Sequence, residues 1–522
     1  MGKYIMKTVY ITNSSINVNR GGLTRVMLER ASGLAERGYD VKLLTIDYSE
    51  EYHNIEKKLH ETNRLSKDVQ ILNVYDYYKK KNTRTEITAE QLESYQVENT
   101  LDEEGYIVQK NSYGDRKEAR YFNYEGQYVK YKKWNVQGEL VFIDYFNENR
   151  TRLKRVEYSN ERTIKKVIYF THENKAKQEI YYTIDGFPYL NQSLHEETGK
   201  PHLIFLLDRE TEEAKCFGGT NPNLLFHADW IQTLCKSNIE KPILINDGIF
   251  LTHTVLRVDP KVATRIAVIH TNHFDAPYVE GAPIRNSHRH LLNNINKFDA
   301  VVLLTNTQSE IVKKQFGDFN NTYVIPNSTV FSDVYKGEKD AKLISVVGRY
   351  HIDKGLDEII KAFKIVLKQH PDARLELYGE GPFEGELKKI ISTYKMESNV
   401  KLNKYTLDLK DIYGKSLFTV LASAYEGFGL VMLESMYQAT PVISYDIQFG
   451  PKDIINDQED GILVENKNIG DLASRMIDLL NNPDVAIRMG KKARENVLSN
   501  FSTNVYIDKW ITLFNGLEKV SK

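Results

Sequence analysis

Two glutamates, Glu426 and Glu434, are the residues whose types and spacing point most directly to chemistry in this sequence. Glu426 lies in a predicted loop after a buried strand, and Glu434 falls among apolar residues in a predicted helix over residues 430–438. A buried carboxylate in such a helix needs a partner, whereas a solvent-facing one would not. Partly helical chain separates the pair by about 10 Å, beyond the roughly 5 to 9.5 Å of glycosidase carboxylates. The spacing predicts contacts to two different hydroxyl-rich groups, such as a sugar and a ribose.

Two cations, Arg349 and Lys354, follow the first predicted strand of the C-terminal half. In a doubly wound sheet this loop lies at the carboxyl edge of the strands, where ligands bind. Together the two side chains could neutralise the charge that grows on a departing nucleoside diphosphate. Either cation alone would be interpreted as a surface residue. The Gly379-Glu380-Gly381-Pro382 turn after the next strand predicts a second tight loop at the same edge and favours the phosphate interpretation.

The N-terminal half offers weaker signals. Gly21-Gly22 precedes a predicted helix, whose free N–H groups favour an anion such as a diphosphate, although a plain turn is an equal alternative. The pair is not a G-x-G-x-x-G fingerprint, so nicotinamide binding is not indicated. His270 ends a predicted strand and His273 follows in the loop. Either imidazole could contact a sugar hydroxyl, and a structural role is the alternative.

No metal and no other cofactor are expected. The sequence has no Asp-x-Asp in a strand-end loop of the kind that holds a metal on a sugar diphosphate, and only Asp275 lies near the histidines. Cys216 and Cys235 are too few for a disulfide framework or a zinc site.

Length and composition limit the class of protein. A chain of 522 residues predicts two to four domains, and 41% hydrophobic with 27% charged residues is typical of globular proteins. No apolar run approaches the ~20 residues of a membrane span, and no secretory leader is recognised, so a soluble, cytoplasmic protein with at most peripheral membrane association is expected. The net charge of -1 gives no general attraction to nucleic acid.

The predicted elements divide the chain into four parts. Strand and helix patterns alternate over residues 1–74 and 216–325, which predicts one Rossmann-like domain interrupted by an insert at residues 75–215. The alternation runs without interruption over residues 326–505, the predicted nucleotide-sugar-binding domain. Residues 506–522 form an amphipathic helix that could pack back on the first domain.

The insert contains an internal repeat. Aromatic residues recur every twelve positions, each followed by a small polar residue, at Phe122, Trp134, Phe146, Tyr158, Phe170 and Tyr182. This spacing predicts an antiparallel meander with one aromatic and one charged face. An exposed sheet of this kind often pairs with another chain, and a solvated accessory sheet is the alternative.

These motifs together resemble the GT4 glycosyltransferases, which have the GT-B fold of two Rossmann-like domains facing a cleft. The resemblance rests on Gly21-Gly22, Gly348-Arg349 with Lys354-Gly355, the Gly379 to Pro382 turn and the E-x7-E pattern from Glu426 to Glu434. The inserted β-domain and Phe449-Gly450-Pro451 look like the wall teichoic acid α-glycosyltransferases of Gram-positive bacteria. That family modifies poly(ribitol phosphate) with α-GlcNAc or poly(glycerol phosphate) with α-glucose.

The resemblance implies a role for each site residue. Arg349 and Lys354 would bind the donor diphosphate beneath Gly21-Gly22, Glu426 would hold the sugar near its 3-hydroxyl, and Glu434 would bind the ribose. His270, or else His273, would contact the 6-hydroxyl. Retention would follow front-face attack, in which the leaving phosphate takes the acceptor proton. The catalytic set is Glu426, His270, Arg349 and Lys354, and the wider donor site adds Gly379, Glu380, Gly427, Phe428, Gly429 and Leu430, with Asn327 and Tyr405 as further candidates.

The expected reaction is transfer from a UDP-sugar to a teichoic acid, with glucosylation of poly(glycerol phosphate) placed before GlcNAc transfer to poly(ribitol phosphate). The insert would assemble the chain into a homo-oligomer, commonly a trimer in that family. Its cations could form a phosphate track or a solvated face: Lys130, Lys132, Lys133, Arg150, Arg152, Lys154, Arg155, Lys165 and Lys166. The alternatives are a peptide-serine glycosyltransferase, a sugar-nucleotide epimerase and a silent glycan-binding protein.

Overall fold

Three β-sheets organise the molecule. The computed structural model describes residues 7–18, 21–113, 116–328, 333–406 and 408–520. Residues 1–6 of the predicted first domain and residues 521–522 of the predicted last helix lie outside the described residues. The molecule has two parallel sheets, of seven and six strands, and one antiparallel sheet of ten strands. The predicted architecture of two Rossmann-like units with an inserted antiparallel sheet is confirmed.

The N-terminal sheet forms where short apolar runs alternate with helices. Its strands are buried almost throughout, as expected for a parallel sheet covered on both faces. The first elements are β1 (Thr8–Asn13), α1 (Gly22–Glu36), β2 (Asp40–Thr45), α2 (Tyr52–Glu61), β3 (Gln70–Asn73), α3 (Val74–Asn82) and α4 (Ala89–Tyr95).

The ten strands of the insert follow α4 in the chain: β4 (Ile107–Tyr113), β5 (Arg116–Phe122), β6 (Tyr128–Trp134), β7 (Leu140–Phe146), β8 (Arg152–Tyr158), β9 (Ile164–Phe170), β10 (Ala176–Tyr182), β11 (Pro188–Leu194), β12 (Pro201–Leu207) and β13 (Ala214–Gly218). They pair in sequence order as one meander over residues 107–218. Tyr181 and Ile204 of this sheet pack with Tyr75 of α3 in one buried cluster. The insert is therefore anchored to the N-terminal unit by a shared core.

The twelve-residue repeat has a local cause in its turns. After each of β5 to β10, the small polar residue that follows the aromatic one closes a five-residue loop. In the first loop the Asn123 side chain accepts hydrogen bonds from the backbone N–H groups of Glu125 and Gln127. The fourth loop residue has a positive φ, which suits glycine or asparagine, as at Gly126 (φ 79°) and Asn174 (φ 62°). The twelve-residue repeat therefore specifies the turns between the strands as well as the two faces of the sheet.

The predicted single aromatic face is wrong. Trp134 and Tyr158 belong to the buried cluster of the sheet, whereas Phe122, Phe146 and Phe170 are half-buried outside it. Each of these aromatic residues ends its strand, and consecutive antiparallel strands end at opposite ends of the sheet. The repeat therefore produces two rows of aromatic side chains instead of one face.

The N-terminal sheet resumes after the insert. Its remaining elements are α5 (Pro222–Lys236), β14 (Ile243–Asn246), α6 (Thr252–Leu256), β15 (Thr264–Ile269), α7 (Asn286–Leu292), β16 (Ala300–Leu303), α8 (Asn306–Phe316) and β17 (Thr322–Val324). The strand order is β17-β16-β15-β14-β1-β2-β3. The chain winds to one side from β1 and to the other from β14, so the topological switch point lies between these two strands.

The C-terminal sheet has the same construction. Its first elements are β18 (Asp340–Val347), α9 (Leu356–Val366), β19 (Arg374–Tyr378), α10 (Glu384–Thr393), β20 (Val400–Asn403), α11 (Lys410–Lys415), β21 (Ser416–Leu421) and α12 (Leu430–Tyr437). The remaining elements are β22 (Val442–Asp446), α13 (Pro451–Ile454), β23 (Ile462–Glu465), α14 (Ile469–Asn481) and α15 (Pro483–Asn500). The order β20-β19-β18-β21-β22-β23 places the switch point between β18 and β21.

The chain crosses between the two parallel units twice. The first crossing follows β17, and the second leads from α15 into the last helix, α16 (Thr503–Val520). Trp510 and Phe514 of α16 are buried in the core of the N-terminal unit beside α1. Glu29 of α1 touches both crossings, because Ser328 and Thr503 each donate a hydroxyl hydrogen bond to its Oε1, at 3.1 and 2.5 Å. Burial raises the pKa of the Glu29 carboxyl.

No helix in the part of the chain that the structure describes is both long and apolar enough to cross a membrane.

Candidate active site between the two parallel sheets

The predicted site residues converge because they follow strands at the C-terminal switch point or one strand away from the N-terminal one. His270 follows β15 in the N-terminal sheet, Arg349 and Lys354 follow β18, and Glu426 follows β21. Parallel strands bring all these loops to one edge of their sheet. The two edges meet directly, since the backbone at Gly427 touches the backbone at His270.

Lys354 and Glu426 form an ion pair. The Lys354 ammonium donates to Glu426 Oε1 at 2.6 Å, and the Ser423 hydroxyl donates to the same oxygen at 2.8 Å. Their side chains are only 19% and 15% exposed. Gly355 makes this approach possible, because its left-handed backbone (φ 59°) runs so close to Ala422 that a Cβ would lie 2.1 Å from the Ala422 carbonyl oxygen. The structure thus joins two residues that the sequence assigned to separate parts of a donor.

Arg349 differs from Lys354. Its side chain is exposed, and among the described residues it has no hydrogen bond or ion pair. The adjacent turn is rigid: Tyr350 N–H donates to the Glu380 carbonyl at 2.9 Å, and a Cβ on Gly379 would lie 1.9 Å from the Gly348 carbonyl oxygen. The guanidinium therefore extends from a fixed loop beside the Lys354–Glu426 pair with its donors available to an anion.

His270 is held by a buried charge network. Its Nε2 lies 2.8 Å from Asp247 Oδ1, and the Arg30 guanidinium lies 2.7 Å from the same carboxylate oxygen. The side chains of Arg30 and Asp247 are fully buried. Burial alone would raise the pKa of Asp247, but Arg30 and His270 hold it well below its usual range. The network fixes the imidazole while His270 Nδ1, also buried, has no hydrogen-bond partner among the described residues.

His273 does not share this position. It is fully buried, stacks between Phe274 and Phe449, and its Nδ1 lies 3.2 Å from Gln308 Nε2. Burial lowers the pKa of His273 to about 4. Both histidines have a buried ring nitrogen without a hydrogen-bond partner among the described residues, His270 Nδ1 and His273 Nε2, but His270 is the one whose backbone meets Gly427 of the other unit.

Glu434 is also paired. Arg25 of α1 forms an ion pair with Glu434 Oε1 across the two units, and the Tyr413 hydroxyl donates to Oε2 at 3.2 Å. The neighbouring residues of the loop and helix hold this arrangement: Phe428 is buried, Gly429 caps α12 in a left-handed conformation (φ 99°), and Leu430 contacts Gly22. Gly21 and Gly22 thus begin α1 directly opposite α12.

The two further candidates lie in different surroundings. Tyr405 follows β20 and is 49% exposed. Asn327 lies at the first crossing between the units and is buried.

Replacing Gly427 by alanine is expected to lower transferase turnover about 10²-fold, because a misplacement near 1 Å at the reacting groups has that effect. A Cβ at residue 427 would lie 2.0 Å from the His270 carbonyl oxygen, so the two edges must separate. Gly385→Ala is the matched control, since a Cβ there meets nothing within 4 Å. Steady-state kinetics of both variants check this, and wild-type kcat and KM in Gly427→Ala would contradict it.

Sequence reasoning missed three residues of this region: Arg25, Arg30 and Asp247. Asp247 had a usable signal, since it directly follows the buried strand β14 just as His270 follows β15. Arg30 and Arg25 lie within α1 and resemble ordinary helix cations until their partners, more than 200 and 400 residues away, are known.

Most of the predicted cation track is neutralised within the chain. Lys130 and Lys132 pair with Glu103, Arg152 and Arg155 with Asp144, Lys165 with Glu50, and Lys166 with Glu157 and Glu179. Lys133 and Lys154 lie over the rings of Phe142 and Tyr145. The carboxylates come from other strands and loops, so the track is not a continuous row of unpaired positive charge.

No group of three or more His, Cys, Asp or Glu side chains in the described ranges has the arrangement to hold a metal ion.

A family comparison matches the unit that carries Arg349, Lys354, Glu426 and Glu434. Residues 329–496 match the family described as Glycosyl transferases group 1. The C-terminal unit is a group 1 glycosyl transferase domain. The chain that contains this domain is therefore a glycosyltransferase.

Two curated relatives extend the similarity beyond the group 1 domain. The chain is 28% identical over 514 residues to the poly(ribitol-phosphate) alpha-N-acetylglucosaminyltransferase of Staphylococcus aureus, covering 98% of this chain and 100% of the relative. It is 22% identical over 548 residues to the poly(glycerol-phosphate) alpha-glucosyltransferase of Bacillus subtilis, covering 98% and 75%. The insert is thus part of the similarity.

Solved structures agree with the sequence comparison. A variant of S. aureus TarM, in complex with fondaparinux, alpha-GlcNAc-glycerol and UDP, is 28% identical with a TM-score of 0.83, covering 98% of this chain and 100% of that one. The pneumococcal O-GlcNAc transferase GtfA, in complex with UDP and GlcNAc, has a TM-score of 0.73 at 20% identity over 98% of this chain and 99% of that one. The group 1 domain and the N-terminal unit thus form a GT-B glycosyltransferase with an inserted sheet.

Proposed function

We propose that this chain transfers a sugar from a UDP-sugar, with retention of configuration, to hydroxyls of a wall teichoic acid poly(polyol phosphate). The observation that carries the proposal is the Lys354–Glu426 pair at the C-terminal switch point, with Arg349 in the same loop as Lys354 and with His270 against Gly427. This arrangement offers cations to a diphosphate and a carboxylate to a sugar at one place. The similarity of 98% of this chain to two teichoic acid transferases supports the acceptor class.

In this proposal Arg349 and Lys354 bind the diphosphate, together with the N–H groups at Gly21-Gly22 and the Gly379-Glu380 turn. Glu426 and the Gly427 to Leu430 segment hold the sugar, His270 contacts its 6-hydroxyl, and Glu434 binds the ribose. The bond from the anomeric carbon to the β-phosphate oxygen breaks as the acceptor oxygen bonds to the same face. The acceptor proton passes to that phosphate oxygen, so no protein nucleophile is needed.

The comparisons change which of the two polymers we propose first as the acceptor. Glucosylation of poly(glycerol phosphate) was the first expectation from sequence, but similarity favours GlcNAc transfer to poly(ribitol phosphate). The ribitol-specific relative matches at 28% identity over its whole length, and the glycerol-specific relative at 22% over 75% of its length. We therefore propose UDP-GlcNAc and poly(ribitol phosphate) as the first substrate pair, with UDP-glucose and poly(glycerol phosphate) as the second.

The deciding experiment measures UDP release with each donor, with and without each polymer, using Glu426→Gln as the inactive control. Release that requires one donor and one polymer supports the proposal and identifies both substrates. Release stimulated by serine-rich peptides instead of either polymer would replace it with peptide glycosylation, the activity named for GtfA relatives of 23% identity.

We propose that turnover needs no metal, because Arg349 and Lys354 supply the charge that a metal would otherwise provide at the diphosphate. UDP release is expected to be unchanged after dialysis against EDTA. Loss of turnover that only Mn²⁺ or Mg²⁺ restores would contradict this expectation, and protein dialysed without chelator is the control.

We propose that the insert drives self-association into a trimer. The outer edges of β4 and β13 have no strand partner among the described residues, and unpaired edges favour pairing between chains. A variant lacking residues 96–214, with a short linker, is expected to be a monomer while still binding UDP, which for the shortened chain is about one-quarter of the wild-type trimer mass by light scattering. An unchanged mass would contradict this role. We place the assembled enzyme in the cytoplasm, at most peripherally on the membrane and without a nucleic-acid partner.

A further inference from the structure

Two arginines of the N-terminal unit, beside the candidate site, keep most of their charge uncompensated. Arg285 directly precedes α7, and Arg289 lies one turn further along that helix. The Arg285 Nε donates to the Phe274 carbonyl at 2.9 Å. The Arg289 Nε donates to the Ile284 carbonyl at 3.0 Å. The terminal nitrogens of both side chains have no hydrogen-bond partner among the described residues, so each guanidinium is tethered at one atom and open at two.

Acidic side chains compensate this charge only weakly. Among the described residues, Asp275 is the one carboxylate that pairs with either guanidinium, and its Oδ1 lies 3.9 Å from the Arg285 Nε. That distance is too long for a hydrogen bond, and the Asp275 side chain is 57% exposed, so water screens the attraction. The insert differs, because carboxylates bind Lys130, Arg155 and Lys165 directly.

Arg285 lies beside the proposed sugar site. Its guanidinium carbon is 4.4 Å from the centre of the Tyr425 ring and 5.4 Å from the centre of the Tyr278 ring. The two rings are 4.3 Å apart, and Tyr425 directly precedes Glu426, the proposed sugar ligand. Tyr278 has a left-handed backbone (φ 72°), which is uncommon for a bulky residue and often occurs at functional sites. The two tyrosines therefore hold the guanidinium where the units meet.

An anion is the ligand that this arrangement suits. The terminal nitrogens of a guanidinium can form two parallel hydrogen bonds to one phosphate, and contact with aromatic rings fixes the orientation of the group in advance. The proposed acceptor has a phosphate on each side of every polyol. A phosphate next to the hydroxyl that attacks must therefore lie close to the sugar that is transferred, which is where Arg285 is placed.

We propose that Arg285 binds the acceptor phosphate next to the hydroxyl that receives the sugar, and that Arg289 binds a phosphate further along the same polymer. This inference rests on the proposed function and names the residues that recognise its acceptor. Residues four apart on a helix lie on the same side of it, so the polymer follows α7 and not the cations of the insert.

The test measures UDP release from the full-length protein as a function of poly(ribitol phosphate) concentration. Arg285→Gln should raise KM for the polymer about tenfold or more and lower kcat less, because it removes a charged hydrogen-bonding partner of the phosphate. Arg285→Lys retains the charge and should recover part of this loss. Arg289→Gln should raise KM about threefold, since its side chain is exposed.

The control is Lys389→Gln, which also removes one positive charge. Lys389 lies on α10 of the C-terminal unit, is exposed and has no ion pair among the described residues, so wild-type KM for the polymer is expected. Isothermal titration with UDP gives the donor affinity of each variant. Repeating the kinetics at higher salt separates a charge contact from a structural effect, because salt screens only the former.

Four outcomes are distinguishable. A higher KM for the polymer in both arginine variants, with wild-type UDP affinity and a difference that shrinks at high salt, supports the inference. Wild-type KM, or a difference that salt does not change, overturns it. Weaker UDP binding in Arg285→Gln would assign this arginine to the donor, which overturns the inference and leaves the glycosyltransferase proposal intact. Wild-type UDP release that no polymer stimulates overturns both the inference and the proposed acceptor.

Discussion

Lys354→Ala is expected to lower kcat by about 10²- to 10³-fold, and more than it raises KM for the sugar nucleotide. The ammonium would act on charge that develops as the diphosphate departs, and removing one such donor has an effect of this size. Among the described residues, the substitution also leaves the Glu426 carboxylate, 15% exposed, with only the Ser423 hydroxyl as partner beside the proposed diphosphate site. Single-turnover and steady-state measurements with the best donor and polymer check the prediction.

The control for this experiment is Lys388→Ala. Lys388 also forms a 2.6 Å ion pair within the C-terminal unit, with Glu384, but the two side chains are 65% and 42% exposed. Exposed pairs contribute at most about 1 kcal/mol to stability, so wild-type kcat is expected. Near-normal kcat in Lys354→Ala would show that the leaving group is neutralised elsewhere.

Arg349→Ala should also reduce kcat strongly, but for a simpler reason. The Arg349 side chain has no partner among the described residues, so its removal leaves none of their side chains unpaired. Its effect on kcat would therefore report the proposed contact between Arg349 and the diphosphate alone.

Asp247→Asn is expected to reduce the free energy of unfolding of the N-terminal unit by about 3–5 kcal/mol, because it leaves the Arg30 guanidinium buried without a charge partner. The substitution keeps the size of the side chain, so cavity formation does not contribute. Urea unfolding and hydrogen exchange at the amides of β14 and β15 measure the effect. Turnover should fall as well, since His270 loses the carboxylate that orients it.

Asp508→Asn is the comparison, because Asp508 forms an ion pair with Arg37 at the surface. The Arg37 side chain is 40% exposed and the Asp508 side chain 59% exposed. Its loss should cost less than about 1 kcal/mol. Equal, small decreases in the free energy of unfolding of Asp247→Asn and Asp508→Asn would contradict a strong stabilising effect of the buried network.

The network of Arg30, Asp247 and His270 also predicts how the free energy of unfolding changes with pH. The pKa of Asp247 is lower in the folded protein than in the unfolded chain, where it is about 3.9. Its stabilising contribution is therefore complete above about pH 4 and is lost as the pH falls further through the folded pKa. Asp247→Asn should flatten this acid limb of the stability curve and leave the alkaline side unchanged.

The sequence predicted the positions that follow strands and turns. His270, Arg349, Lys354 and Glu426 each follow a short apolar run, and parallel sheets bring such positions together irrespective of side-chain detail. The strands of the insert were predictable for a similar local reason, because a twelve-residue turn pattern encodes them.

Pairing over long distances was not predictable. Lys354 with Glu426, Arg25 with Glu434, and Arg30 with Asp247 join residues 72, 409 and 217 positions apart, and no local pattern marks them. The cations of the insert show the same limit. Their charge looked available in the sequence, but Glu50 and Glu103, outside the repeat, neutralise three of them in the fold.

The contact of Glu29 with both chain crossings affects how the two units can move. A unit attached by one strand of chain can swing and twist in several directions, whereas two neighbouring attachments leave essentially one rotation axis. Ser328 and Thr503 define the two attachment points, and Glu29 hydrogen-bonds both at one oxygen. We therefore expect relative motion of the two units to be mainly a rotation about an axis near α1, the same helix whose first turn carries Gly22 and Arg25. Such a rotation would move the start of α1 relative to α12, which Gly22 and Arg25 contact, and so would change the proposed nucleotide site.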